Sequence, residues 1–306
     1  MDQAEDLRKM FNRSHIIKKS PPLVEVPASA RSTRFIAVAS GKGGVGKTNF
    51  AINLGILFAR AGKRVIVMDM DLGLANVNVL LGVIPKFSLY NVLKGEKKLG
   101  EIVIDTAQGI RIIAGASGFS KLADLNEDER MRFVEGIADV GDVDIVIIDT
   151  GAGVSRNVLS FVLASDEAII VTTPEPTSIT DAYGIVKAIS VEDLPDISDR
   201  DGQLPIKLVV NRVASVAEGR QVAERVINIA GQFLNVRVEN LGFVYQDEAV
   251  SASVMKQKPF VVADPKCRAS ECMDHISRRL LGMPVESRSG GFGSFIKNML
   301  SANKGA

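Results

Sequence analysis

The chain has 306 residues, 46% of them hydrophobic and 24% charged, which suffices for one large domain or two small ones and excludes disorder throughout. Its 37 basic and 36 acidic residues leave a net charge of +1, which excludes a global field that attracts nucleic acid or anionic lipid. Two cysteines exclude a disulfide scaffold, and no apolar run typical of a signal peptide or a spanning helix occurs, so we expect a cytoplasmic protein.

Residues 1–34 are predicted to form a mobile amino-terminal segment and linker. Lysines and prolines between Lys18 and Pro27 are typical of an extended linker. The first eleven residues instead place Ala4, Leu7 and Phe11 at helical spacing, which predicts a short amphipathic helix. Because such a short helix is unstable alone, we expect it to form on a partner. The alternatives are a disordered tail and a helix packed on its own domain.

Seven short apolar runs alternate with helical patterns between residues 35 and 283. Continuous apolar runs predict strands buried on both faces, and strand-helix-strand repetition predicts right-handed crossovers. We therefore expect an α/β fold with a mostly parallel twisted sheet, helices on both faces, and ligands at the carboxyl ends of the strands. The predicted strands are Phe35–Ala39, Val65–Asp69, Ile110–Ala114, Ile145–Asp149, Ala168–Thr172, Lys207–Asn211 and Asn240–Val244, and the predicted helices include Thr48–Ala61, Glu127–Val140 and Glu218–Phe233.

A glycine-rich loop joins the first predicted strand to the first predicted helix, which is the context that a P-loop requires. Its glycines permit turns that aim backbone N–H groups at phosphate oxygens, and the helix amino terminus adds partial positive charge. Lys47 offers a charge to the β- and γ-phosphates, and the Thr48 hydroxyl is placed to bind Mg²⁺. The alternative is a turn that binds no ligand, but folding of such a turn does not require two lysines and a threonine at these positions. The predicted residues for ATP or ADP are Gly41, Lys42, Gly43, Gly44, Val45, Gly46, Lys47, Thr48 and Asn49.

Polar residues end several of the predicted strands at the same edge of the sheet. Asp69 and Asp71 end the second strand, and Asp149 ends the fourth. Carboxylates at the ends of apolar strands are costly unless they are paired or near a cation, which predicts that they lie at the phosphate site. Asn211 ends a further strand and is followed by Arg212. For all of these residues, the alternative is that they cap turns.

The second lysine of the loop, Lys42, is not needed by an ordinary P-loop. With it, the loop resembles that of the deviant Walker A ATPases, the MinD/ParA family, which belongs to the SIMIBI class of P-loop NTPases and whose loop reads KGGVGKT or KGGVGKS. The resemblance implies an ATP-dependent homodimer in which Lys42 reaches the phosphates held by the other subunit. It also implies Mg²⁺-dependent ATP hydrolysis, with Lys42, Lys47 and Asp71 as catalytic residues and Thr48, Asp69, Asp71 and Asp149 around the metal ion.

The same resemblance implies that Asn211 reads the adenine edge, with Arg212 beside it in the nucleotide site. The family usually has a proline after the last strand, in a Pro-x-Asp context. Here the chain has Tyr245 at that place, followed by Gln246 and Asp247, which leaves the contacts of this loop with the base open.

Further motifs resemble the FlhG branch of that family, also called FleN, YlxH or MinD2. They are the Asn49-Phe50 pair, the pattern of residues 71–82 and the Asp-Thr-Gly-Ala-Gly of residues 149–153. An amino-terminal DQAxxLR element completes them with Asp2, Gln3, Ala4, Leu7 and Arg8. This resemblance implies a switch that controls the number and placement of flagella and stimulates the FlhF GTPase through that element. Other implied partners are flagellar C-ring proteins or a flagellar transcription regulator, with no direct contact to nucleic acid. The alternative is a MinD-type ATPase that places the division site.

Residues 284–306 are predicted to form a linker and an amphipathic helix. The apolar residues Phe292, Phe295, Ile296, Met299 and Leu300 lie at i, i+3, i+4, i+7 and i+8 and form one stripe. That stripe is typical of an interfacial membrane helix, and two such tails on one dimer would act together. We therefore expect the ATP-bound protein to lie on the cytoplasmic membrane. The alternative is that the stripe packs on the protein itself or in a dimer groove.

Overall fold

The computed structural model describes residues 33–71, 76–115, 140–191 and 204–284, and the statements below concern this part of the chain. Several predictions fall outside it. They are the amino-terminal helix with the DQAxxLR element, the helix Glu127–Val140 except for its last residue, and the carboxyl-terminal apolar stripe.

The described strands form one eight-stranded sheet in the order β3-β4-β2-β5-β1-β6-β7-β8. All neighbouring strands run parallel except β3 and β4, which are antiparallel. The strands are β1 (Arg34–Ser40), β2 (Val65–Met70), β3 (Val103–Asp105), β4 (Arg111–Ile113), β5 (Ile145–Ala152), β6 (Glu167–Thr172), β7 (Ile206–Val213) and β8 (Val238–Tyr245).

Helices connect these strands, and several of them begin at a side-chain cap. Ser155, Ser215 and Asp247 each accept a hydrogen bond from a backbone N–H of the helix that follows, as expected for such residues. The helices are α1 (Lys47–Arg60), α2 (Val77–Leu80), α3 (Leu89–Leu93), a 3-10 helix (Leu99–Ile102), α4 (Arg156–Ala164), α5 (Pro176–Val191), α6 (Val216–Leu234), α7 (Glu248–Met255), α8 (Phe260–Ala263) and α9 (Arg268–Leu280).

The sheet is buried on both faces, as its continuous apolar strands predict. In β1, Ile36 and Val38 pack into the core that contains α1 and α9. Ala37 and Ala39, which point the other way, pack into the core that contains α4, α5 and α6. This alternation follows from the two-residue period of a strand. It confirms a parallel sheet flanked by helices on both faces.

All seven predicted strands are confirmed. Strand β3 was not predicted; it has three residues and exposes part of each of them. A strand this short and open does not carry the continuous apolar run that marks the others. Strand β5 also continues three residues beyond Asp149, to Ala152. In the part of the chain that the structure describes, no helix is long and apolar enough to cross a membrane.

Ion pairs connect three neighbouring strands at the amino edge of the sheet. Glu167, at the start of β6, is buried and lies 2.5 Å from both Arg34 of β1 and Lys207 of β7. Arg34 also donates a 2.9 Å hydrogen bond to the carbonyl of Leu280, the last residue of α9. The carboxyl-terminal end of α9 is therefore fixed at the edge of the sheet opposite to the one where the P-loop lies.

Candidate functional site

The P-loop connects the carboxyl end of β1 to the first turn of α1. Gly44 and Gly46 have φ values of 78° and 95°, in the left-handed region that glycine adopts at low cost. Gly41 is constrained by space, because a Cβ atom there would lie 2.1 Å from the backbone oxygen of Asp181 in α5. The loop therefore needs glycine for two separate reasons, backbone conformation and close packing.

Asn211, at the end of β7, is tied to the P-loop. Its side-chain amide donates a 2.7 Å hydrogen bond to the carbonyl of Val45, and its side-chain oxygen accepts one from the N–H of Arg212 at 3.0 Å. A Cβ atom at Gly46 would lie 2.4 Å from the Asn211 amide nitrogen. Asn211 thus supports the loop from the side, a contact that the sequence analysis missed because the two residues are far apart in the chain.

Lys47 and Asp149 form a buried ion pair beneath the loop. The lysine Nζ lies 2.9 Å from Oδ1 of the carboxylate, and Lys47 is only 7% exposed. Burial raises the pKa of Asp149, while the charge of Lys47 and the nearby Thr48 hydroxyl act against that rise. Its second oxygen, Oδ2, is buried and has no hydrogen-bond partner among the described residues. The structure therefore offers one satisfied and one open carboxylate oxygen at this position.

Asp69 and Asp71 lie beside this pair, as the strand ends predict. Asp69 of β2 is in register with Asp149 of β5 and accepts backbone hydrogen bonds from Asp71, Asn76 and Val77. Burial, followed by the charge of Asp149, raises the pKa of Asp69 to about 6. The Asp71 carboxylate lies close enough to Asp149 to raise the pKa of that residue further. Three carboxylates therefore meet at the carboxyl edge of β2 and β5.

The oxygen donors at this edge fit a magnesium ion that is bound together with a nucleotide. Within the described ranges, no group of three or more His, Cys, Asp or Glu side chains could hold a metal ion by itself. Mg²⁺ commonly takes only one or two protein ligands and completes its shell with phosphate oxygens and water. The open Oδ2 of Asp149 and the neighbouring Thr48 hydroxyl supply that kind of hard oxygen donor.

Lys42, the additional lysine, forms its ion pair near the surface of the protein. Its Nζ lies 2.7 Å from Oε2 of Glu175 and 3.0 Å from the Thr177 hydroxyl. The ammonium of Lys42 lowers the pKa of the Glu175 carboxyl. Glu175 was not predicted as a site residue, because it lies three residues beyond the end of β6, whereas Asp149 ends its apolar run directly.

A cavity of about 660 Å³ opens beside the P-loop, between the ends of β6, β7 and β8. Asn49, Glu175, Asn211 and Arg212 line it, so the cavity contains both residues that the resemblance places beside the adenine, Asn211 and Arg212. Arg212 is exposed and adopts a left-handed φ of 60°, which is strained for a residue other than glycine. Strained backbone of this kind is concentrated at functional sites.

The loop after β8, which has Tyr245 in place of the family's usual proline, is stabilised by contacts of Tyr245 and Asp247. The Tyr245 ring lies 3.8 Å below the Arg268 guanidinium and meets the Phe243 ring edge-on at 5.7 Å. Asp247 accepts hydrogen bonds from the N–H groups of Ala249 and Ala269, at the starts of α7 and α9. Both oxygens of that carboxylate therefore hold helices in place, and Tyr245 packs against α9 where a proline would have stiffened the chain.

Comparisons with known proteins agree with this geometry. Residues 36–260 match the nucleotide-binding domain of the CobQ/CobB/MinD/ParA family. The antiactivator FleN of Pseudomonas aeruginosa is 34% identical over 273 residues, which cover 89% of this chain and 95% of that protein. The flagellum site-determining protein YlxH of Helicobacter pylori is 34% identical over 275 residues, 88% of this chain and 90% of that protein. This chain belongs to the MinD/ParA nucleotide-binding family.

Within that family, the FlhG branch is the one that FleN and YlxH represent, and the chain is a member of it. A solved MinC:MinD cell division protein complex of Aquifex aeolicus has the same fold. It is 25% identical, with a TM-score of 0.66 over 85% of this chain and all of that chain. The fold and the family together make this protein a MinD-like ATPase with a nucleotide-binding domain.

Proposed function

We propose that this protein is an ATP-hydrolysing switch that regulates the number and placement of flagella. The observation that carries the proposal is the different state of its two loop lysines. Lys47 is buried and paired with Asp149 inside the site, whereas Lys42 lies at the surface with Glu175. The relative YlxH, which is named as a flagellum site-determining protein, supports the flagellar role.

The residues of the P-loop bind the phosphates of ATP in this proposal. Gly44 and Gly46 expose backbone N–H groups, and Lys47 exchanges the carboxylate of Asp149 for the β- and γ-phosphates. Thr48 and Asp149, with Asp69 in support, would hold Mg²⁺, which when bound would neutralise charge on the phosphate oxygens. Asp71 orients the attacking water, because its carboxylate lies at the same edge beside Asp149.

Lys42 connects hydrolysis to assembly. It leaves Glu175 and binds the phosphates of ATP in a second subunit, so that each active site of the homodimer is completed in trans. A cation that is supplied by another subunit restricts fast hydrolysis to the assembled state. The exposed position of Lys42 supports this role, because a lysine held at the surface is accessible to a second copy.

The two ends of the chain carry the output of the switch. The amino-terminal element with Gln3 stimulates the GTPase of FlhF, and the apolar stripe from Phe292 to Leu300 binds the cytoplasmic membrane as an interfacial helix. Two stripes on one ATP-bound dimer bind together, so the nucleotide controls residence at the membrane. Flagellar C-ring proteins or a flagellar transcription regulator are the further partners of this proposal.

The dimer is tested by light scattering of the full chain with Mg²⁺ and a non-hydrolysable ATP analogue. Wild-type protein is expected to double its mass, and Lys42→Ala is expected to bind the analogue but remain monomeric. Lys63→Ala, which removes a lysine beyond α1, is the matched control and should dimerise. A Lys42→Ala protein that dimerises and hydrolyses ATP like the wild type would contradict the proposal.

The partner is tested by the GTP turnover of FlhF with the full chain. Stimulation is expected from wild-type protein and from Asn12→Ala, which changes the same segment outside the DQAxxLR element, but not from Gln3→Ala. Equal stimulation by all three proteins would remove Gln3 from the proposal. No stimulation by any of them would remove FlhF as a partner.

A further inference from the structure

Three apolar side chains on α2, on the residues after it and at the end of α7 are exposed to solvent. Ile84 is 96% exposed, Met255 is 85% exposed and Val79 is 49% exposed. Val79 belongs to α2, Ile84 follows it, and Met255 ends α7. Single exposed apolar residues need no explanation, but a contiguous group marks an interaction site.

These three residues come from segments that touch each other. The position of a Cβ atom on Gly82 lies 3.6 Å from the Cβ of Gln257, and Gly82 donates a backbone hydrogen bond to Val79. Leu80 of α2 and Val254 of α7 line the same narrow crevice, together with Ile52 of α1. Ile84 and Met255, two residues from Gly82 and Gln257, therefore flank a contact between the same two segments.

The charged residues within these two segments are lysines. Residues 76–95 and 249–263 contain no Asp or Glu, and they carry Lys86, Lys256 and Lys258 next to the cluster. All three lysines are exposed, and within the described ranges none of them forms an ion pair. The protein as a whole is almost neutral, so this local excess of positive charge stands out.

We propose that Val79, Ile84 and Met255, with Lys86, Lys256 and Lys258, form a docking surface for an acidic amphipathic helix of another protein. An amphipathic helix that lays its apolar face on an apolar surface of its partner is a common mode of peptide recognition. Carboxylates at the margins of that helix would meet the three lysines and set its orientation and its rate of association. The residues of this surface are different from those of the amino-terminal element and of the carboxyl-terminal stripe.

Two other occupants fit the charges less well. A symmetric contact of this surface with the same surface of a second copy would place lysines against lysines. A membrane bound at this surface would contact α2 and α7, which follow strands at the carboxyl edge of the sheet. The end of α9, four residues before the predicted membrane tail, is instead held at the amino edge by the hydrogen bond between Arg34 and Leu280. An acidic helix is the occupant that satisfies both the apolar cluster and the lysines.

The occupant is identified with a photo-crosslinking amino acid placed at position 84 of the full chain in its source cells. The same amino acid at Phe233, which is 72% exposed on α6, serves as the control. We expect position 84 to capture a peptide of another protein that has net negative charge and apolar residues at i, i+3 and i+4. A crosslink to a second copy, to lipid or within the chain, or none above the control, would overturn the proposal.

The captured peptide is then synthesised and titrated onto the purified full chain. We expect Ile84→Glu to weaken binding of the peptide at least tenfold, and Lys256→Glu to weaken it at least threefold. The effect of Lys256→Glu should be smaller at high salt, because salt screens charges. Lys187→Glu on α5 is the matched control and should leave binding unchanged. Affinity for an ATP analogue and for anionic vesicles should be the same in wild type and Ile84→Glu. A loss of vesicle binding in Ile84→Glu, or no effect of Lys256→Glu on the peptide, would refute the assignment.

Discussion

Replacing Gly46 by alanine should destabilise the protein through two effects that can be measured separately. The left-handed φ of 95° costs an alanine about 1–2 kcal/mol. The new Cβ would also lie 2.4 Å from the Asn211 amide nitrogen and displace it from the Val45 carbonyl. Because that hydrogen bond contributes about 1 kcal/mol, we expect a total loss of about 2–3 kcal/mol.

A double-mutant cycle separates the two effects. Urea unfolding of the nucleotide-free full chain is measured for Gly46→Ala, for Asn211→Ala and for both together. Gly62→Ala is the control, because Gly62 has a φ of 81° and nothing within 4 Å of its Cβ position, so it reports the backbone cost alone. We expect the double mutant to lose about 1 kcal/mol less than the sum of the singles, since removing the Asn211 side chain leaves room for the methyl group. Additive losses would show that Asn211 does not support the loop as described.

Three further predictions concern buried charges. Without nucleotide, Lys47→Met should lower the free energy of unfolding by about 3 kcal/mol, because it leaves Asp149 buried and unpaired. The double mutant that also contains Asp149→Asn should recover most of that loss, as urea unfolding can check. Asp69 binds its proton more tightly in the folded protein, with a pKa of about 6 against 3.8, so its contribution to stability is complete below pH 4 and falls by about 3 kcal/mol as the pH rises to 7. Asp69→Asn should remove this part of the pH dependence in metal-free unfolding experiments, and identical slopes would contradict the assignment. Glu167→Ala, at the opposite edge of the sheet, should destabilise the fold by about 3 kcal/mol yet leave affinity for an ATP analogue unchanged, as calorimetry can check.

The strands and the P-loop were predictable because their signals are local. Runs such as Ile145–Asp149 contain the apolar residues that a doubly covered strand needs, and the glycines of the loop stand next to its lysine and threonine. The antiparallel edge strand β3 had no such signal, because each of its three residues is partly exposed. Local pattern therefore predicted the strands that contain an apolar run and failed for the short edge strand that has none.

The contacts that complete the site were not predictable, because they depend on strand order. Glu175 meets Lys42 across 133 positions of sequence, and Asn211 meets Val45 across 166. Both contacts arise because β6 and β7 follow β1 in the sheet, so that residues after their carboxyl ends face the P-loop. A sequence shows that these residues end strands, but the partner of each one follows only from the order of the strands.

The two loop lysines form ion pairs of different strength, which nucleotide binding must break. The Lys47–Asp149 pair is buried, so separating it is costly unless phosphates take the place of the carboxylate at once. The Lys42–Glu175 pair is exposed, and such pairs contribute about 0–1 kcal/mol. Lys42 can therefore leave Glu175 at little cost. In our proposal, the contacts of Lys42 with the phosphates in the other subunit set the free energy of dimerisation. An arrangement of this kind favours a reversible switch, because the monomer holds Lys42 in place without holding it strongly.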